Sequence, residues 1–139
     1  MLQKEELNYI SESIKRAESH TSGEIRVCVT KHCKGDPLEA AWKKFKQLKM
    51  DATQQRNGVL IYVSPADHKS AIVGDKGIRD VAREDFWEDT LQEMLSFFRK
   101  ERIAEGISKG VEKVGELLKN QFPVIENDVN ELGDEVILE

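Results

Sequence analysis

At 139 residues the chain is about one domain's worth, long enough to bury roughly two thirds of its unfolded surface without metals or disulfides. Apolar residues make up 39% and the formal net charge is −5, a soluble globular composition that lacks the long basic stripe of a nucleic-acid binder. No run approaches the roughly eighteen apolar residues of a membrane span, and MLQKEELNYI lacks the apolar stretch of a secretory signal, so the expectation is a cytoplasmic monomer without nucleic-acid or membrane partners.

In chain order, Leu7, Ile10, Ile14 and Ala17 recur at helical spacing and predict an amphipathic helix over residues 3–18. The turn at 19–23 leads into a strand over 24–30, alternating through Ile25, Val27 and Val29. Cys28 lies within that alternation and reads as buried, while Cys33 falls in the loop beyond; the two do not form a CxxC pair. Asp36-Pro37 followed by Glu39 is a strong helix start, with an Asp cap, proline at the first helical position and a reciprocal acidic residue. Leu38, Ala41, Trp42, Phe45 and Leu48 form that helix's apolar side, and Lys43, Lys44, Lys46 and Lys49 read as its solvated face.

Two short apolar runs follow, Val59 to Val63 and Ala71 to Val73, separated by too few residues for a helical crossover but enough for a hairpin. The strand at 24–30, the helix from Asp36 and the strand at 59–63 make a βαβ unit, so the first two strands are expected to be parallel and the third antiparallel to the second. Beyond Asp75 the chain turns helical: a turn or two around Ile78, a helix over 85–98 carrying Phe86 and Leu91 with Trp87 on its flank, and a helix over 102–120 with Ile103, Ile107, Val111, Val114 and Leu118 as a stripe. Gly106 and Gly110 near its start predict close approach to a neighbouring helix. Residues 1–123 form one domain in this reading, and 124–139 an acidic tail that is either solvated or packed back over it.

This topology gathers polar segments at the amino end of the parallel strands: Thr21 to Glu24, Arg56-Asn57 and Gly74-Asp75. Glu24, Asn57, Asp75, Asp80 and Glu84 offer the oxygen ligands that suit Ca²⁺ or Mg²⁺. Arg56 places a positive charge in the same patch, and purely structural roles stand as the alternative: Asp75 closing the turn after its strand, and Glu24 pairing with Arg56. Lys31-His32, Ser64 and the Asp36 cap, at the opposite end, mark the competing location. VGDKG at 73–77 lacks the Walker spacing and terminal Lys-Ser/Thr, so its glycines read as turn residues. His20, His32 and His68 show no metal-ligand spacing.

The opening helix with Thr21-Ser22-Gly23-Glu24-Ile25, then Arg56-Asn57-Gly58-Val59-Leu60-Ile61-Tyr62-Val63, Ala71-Ile72-Val73-Gly74-Asp75-Lys76-Gly77-Ile78, Trp87 and the glycine-bearing last helix ending at Phe122-Pro123 together resemble the TPM domain family. The resemblance implies a three-layer α/β/α sandwich with a small mixed sheet, in agreement with the βαβ unit, hairpin and C-terminal helices read above. It also implies a family in which plant members are described as acid phosphatases that bind Ca²⁺. Carried across, Glu24 matches the acidic residue of the family's first strand, Asn57-Gly58 its Asn-Gly pair, and Gly74 and Gly77 the glycines after its third strand. Many members have Asp where this chain has Arg56, and a glutamate-bearing segment at Arg79-Asp80. The resulting expectation is a divalent-cation-binding domain acting on phosphate monoesters, with Asp75 and Arg56 as catalytic residues, Arg56 clamping phosphate oxygens, and Glu24, Asn57, Asp75, Asp80 and Glu84 around the metal. The alternative is a non-enzymatic adaptor that docks a protein partner through Trp87, the acidic patch at 84–89 or the tail.

Overall fold

A computed structural model describes residues 2–124, 133 and 135–139. Its elements are α1 (Lys4–Glu18), β1 (Glu24–Val29), α2 (Pro37–Gln47), a 3₁₀ turn (Met50–Ala52), β2 (Gly58–Ser64), β3 (Lys69–Gly74), α3 (Lys76–Arg79), α4 (Phe86–Phe98), α5 (Ile103–Gln121) and β4 (Ile137–Leu138). The sheet order is β3-β2-β1-β4. β1 and β2 run parallel with Glu24 opposite Gly58, and β2 and β3 run antiparallel with Val59 opposite Gly74, as the crossover and hairpin lengths require.

Strand alternation divides the core into two layers. Ile25, Val27, Val29, Val59, Ile61, Val63 and Ile72 pack with Ile10 and Ile14 of α1, Met94 of α4, and Ile107, Val111, Val114 and Leu118 of α5. On the other side Cys28, Leu60, Tyr62, Ala71 and Val73 pack with Ala41 and Phe45 of α2 and Met50 of the 3₁₀ turn. The architecture is the three-layer mixed α/β sandwich. Asp36 caps α2 as its position indicates, accepting from the Leu38 N–H at 3.0 Å. Cys28 and Cys33 are both free and buried, and burial raises the pKa of the Cys28 thiol.

The close approach expected of the α5 glycines is to α4. A methyl group at Gly110 would stand 2.5 Å from the Met94 sulfur, and one at Gly106 would stand 2.6 Å from the Phe98 ring. Trp87, read as lying on a flank, packs against the core and limits Gly74, where a Cβ would come 2.7 Å from its indole.

Much of the acidic tail at 124–139, read as solvated or packed back over the domain, lies outside the described residues. Its end forms β4, which the sequence reading did not anticipate: Ile137 and Leu138 pair in parallel with Cys28 and Val29. The Glu139 N–H donates to the Val29 carbonyl, the Glu139 carbonyl accepts from Lys31 N–H, and the Glu139 carboxylate pairs with Lys44. Among the described residues, no helix is long and apolar enough to cross a membrane.

Candidate functional site

The three segments predicted to converge at the amino end of the sheet do so. The Asp75 N–H donates to the Gly58 carbonyl at 2.9 Å, extending the β2/β3 register by one residue, so Glu24, Gly58 and Asp75 stand in one row across the sheet. The Glu24 N–H donates to the Asn57 carbonyl at 3.4 Å. Glu24, Asn57 and Asp75 are all buried.

Helix ends hold this edge together. Glu18, the last residue of α1, accepts the Ile25 N–H at 2.8 Å. The Thr21 hydroxyl is bonded to the Phe122 carbonyl and, at 3.1 Å, to the Leu118 carbonyl at the end of α5, and its oxygen accepts the Gly23 N–H at 3.0 Å. Gln55 donates to the Ser22 hydroxyl at 3.0 Å. Threonine at position 21 thus ties the turn before β1 to the end of α5; its position in a short polar turn between a helix and a strand was the available signal.

The dominant electrostatic feature is the pairing of Arg56 with Asp75. Arg56 Nε and Nη2 lie 2.6 and 2.8 Å from the two carboxylate oxygens, a bidentate fork. The Asp75 side chain is 4% exposed and that of Arg56 49%, so a carboxylate inside the protein is neutralised from its rim. The hydrogen bonds to Asp75 raise the guanidinium's pKa further. Asp75 also accepts the Lys76 N–H at 2.8 Å and caps α3, the turn-closing role considered from sequence. Arg56 adopts a left-handed φ of 52°, and its carbonyl accepts the Gly77 N–H at 2.8 Å. Arg56, for which the sequence offers Glu24 as a partner, pairs with Asp75, because the hairpin register brings Asp75 to the start of β2.

Asn57 accepts through its backbone carbonyl and donates its N–H to Thr53 Oγ1 at 3.3 Å. Its buried side-chain nitrogen finds no partner among the described residues. Asp80 ends α3 and Glu84 follows it in the next turn, both exposed.

Carboxylate and amide oxygens are the ligands Ca²⁺ and Mg²⁺ select, so the donor chemistry of Glu24, Asn57 and Asp75 fits a hard cation. As folded, the Asp75 carboxylate is held by the Arg56 guanidinium. Glu24 and Asp75 flank Gly58 at two strand spacings, about 10 Å between backbones. The Met50 carbonyl covers the glycine between them, 3.0 Å from where a Cβ would stand, and the guanidinium holds Asp75. Among the described residues, no three His, Cys, Asp or Glu side chains form a group that could hold a metal ion.

The opposite end of the sheet is tied by Asp67 in the hairpin turn, which accepts the Cys33 N–H at 2.6 Å and faces His32 at 3.8 Å. The Cys33 bond is the main cause of its lowered pKa, with His32 and Lys69 adding to it. A carboxyl group whose folded pKa lies below its unfolded value stabilises above the unfolded pKa of about 3.9 and loses that contribution as pH falls through the folded value. Asp67→Asn is therefore expected to be less stable than the parent at neutral pH, with the difference closing as pH drops below about 4. Urea titrations across that range check this; a difference independent of pH would count against the bond.

Together these features define a small α/β/α domain whose sheet edge is closed by a guanidinium–carboxylate pair. The TPM domain profile matches residues 1–117, and the chain belongs to the TPM domain family. It is similar over all of its length to the BA42 protein of the psychrophilic bacterium Bizionia argentinensis, solved by NMR, with 40% identity, a TM-score of 0.92 and 96% of that chain covered. The N-terminal domain of the cg2496 protein of Corynebacterium glutamicum shares the fold at 12% identity, with a TM-score of 0.67 over 99% of this chain and 80% of that one. The N-terminal domain of a P. gingivalis protein does so at 18% identity, with a TM-score of 0.70 over 87% of this chain and 78% of that one. Among curated proteins, none matches.

Proposed function

We propose that this TPM domain binds a divalent cation at the amino end of its sheet by exchange: the cation takes the Asp75 carboxylate and releases Arg56. The supporting observation is the asymmetry of the pair, a buried carboxylate neutralised by a half-exposed side chain that can swing into solvent. Exposed partners contribute little net stability, so the exchange is not costly on the arginine side. Glu24 and the Asn57 amide are the buried oxygen donors nearest by register, and Asp80 and Glu84 are exposed carboxylates downstream. A cation bound here would supply charge for polarising a phosphoryl oxygen. The freed Arg56 fork suits phosphate oxygens, so hydrolysis of a phosphate monoester is the activity to test.

Exchange makes a definite prediction. Arg56→Gln removes the competing charge and is expected to tighten Ca²⁺ or Mg²⁺ binding about tenfold or more, while Asp75→Asn abolishes it. Amide NMR titrations of the three proteins read both effects, and p-nitrophenyl phosphate turnover with and without chelator reads the hydrolase. No saturable shift at millimolar cation in either the parent or Arg56→Gln would sink the cation reading. Binding without turnover would remove only the phosphatase.

The adaptor reading has less behind it. Trp87 is committed to packing against Gly74, and Glu88 and Asp89 lie in the first turn of α4, where the helix dipole favours negative charge without a partner.

A further inference from the structure

The carboxyl end of the parallel strands, where open α/β sheets usually hold their ligands, carries a cavity that the edge described above does not use. It has a volume of about 770 Å³ and lies between the β2–β3 hairpin and the turn joining α4 to α5, within the range of roughly 300–1,000 Å³ typical of small-molecule sites. Leu95, Phe98, Ile103 and Val63 give it an apolar wall. A second cavity of about 420 Å³ adjoins it, sharing Pro65, Glu101 and Ile103.

The polar groups on the wall are unevenly committed. Lys69 lines the cavity, but its ammonium is spent on the Cys33 and Gly35 carbonyls at 2.9 and 2.7 Å. Arg99, past the end of α4, is exposed and makes no side-chain hydrogen bond or ion pair among the described residues. The Ser70 hydroxyl is shielded from solvent, and so from the cavity, and finds no partner among the described residues. His68 completes this side at a left-handed φ of 53°. Glu101, the one carboxylate among the described residues lining the first cavity, is common to both cavities and so marks their shared boundary.

A guanidinium unpaired among the described residues and an imidazole, over an apolar floor, are complementary to one chemistry. We infer that this cavity binds a small amphipathic anion, with its carboxylate or phosphate head at Arg99 and His68 and its hydrocarbon body along Phe98, Leu95 and Ile103. The site is independent of the proposed cation edge, since the two lie at opposite ends of the strands.

The test is an amide NMR titration of the full chain with octanoate and octyl phosphate below their micelle concentrations, and with octanol and octylamine as head-group controls. Arg99→Gln serves as the variant, because an exposed side chain without partners among the described residues can be replaced with the fold intact. Saturable shifts at residues 63–70 and 95–103 are expected for the anions, about tenfold tighter than for octanol, with that advantage lost in Arg99→Gln. Preference for octanoate would identify a carboxylic acid as the ligand, and preference for octyl phosphate a phosphate ester. Equal affinity for octanol and the anions, stronger binding of octylamine, an unchanged Arg99→Gln, or shifts away from the cavity would each overturn the inference.

Discussion

Gly77→Ala is expected to destabilise the domain by about 3 kcal/mol, the upper end of what overpacking usually costs. The alanine methyl would stand 2.3 Å from the Gln55 carbonyl oxygen and 2.7 Å from that of Arg56. Both are backbone atoms, so no rotamer change relieves the clash, and the 53–57 segment must move. That segment presents Arg56 to Asp75 and accepts the Gly77 N–H, so the edge is lost along with the stability. Gly110→Ala is the informative comparison. Its methyl would meet the Met94 thioether, which is flexible and can yield, so a cost of about 1 kcal/mol is expected. Urea midpoints of the two variants measure the contrast; a Gly77→Ala protein as stable as the parent would refute the account of the edge.

Leu118→Ala is expected to cost about 3 kcal/mol, with a fall in Tm on the order of 10 °C. Leu118 is fully buried, and its two methyl carbons lie 2.7 and 2.8 Å from where a Cβ on Gly23 would be. Its removal leaves a cavity facing a glycine, which has nothing to fill it. Its backbone carbonyl, which accepts from Thr21 and from the Phe122 N–H, is kept by alanine, so the loss is one of packing. The pair also predicts coupling: Gly23→Ala alone is destabilising, but in the Leu118→Ala background its methyl occupies vacated space and recovers part of the loss. Thermal melts of the four proteins decide it. A Gly23→Ala effect of the same size in both backgrounds would show that the two residues do not meet.

At both ends of the sheet, the choice of partner decides the chemistry. Glu24, Asn57 and Asp75 come together because the βαβ crossover and the short hairpin leave few ways to arrange three strands, and the sequence carries both signals. That Arg56 would fork onto Asp75 was not legible, since it depends on a one-residue extension of the β2/β3 register and on the left-handed backbone at Arg56. Sequence reading likewise set Ser64 and His32 at the competing end but had no means of finding Arg99 and Ser70, which α4 and β3 bring to one cavity.

By itself the sequence determined what depends on near neighbours along the chain. Periodicity gave α1, α2, α4 and α5, Asp36-Pro37 gave the start of α2, and the lengths of the connections made β2 parallel to β1 and antiparallel to β3. Only the tertiary structure decided the pairings that chain order leaves open. Ile137 and Leu138, at the end of an acidic tail, became a strand because the free edge of β1 offers unpaired backbone groups. Thr21 was committed to carbonyls at the end of α5, and Asp75 to Arg56. A helix repeat or a turn is fixed by energies a few residues apart, whereas these contacts are selected by whichever polar group packing leaves within hydrogen-bonding distance.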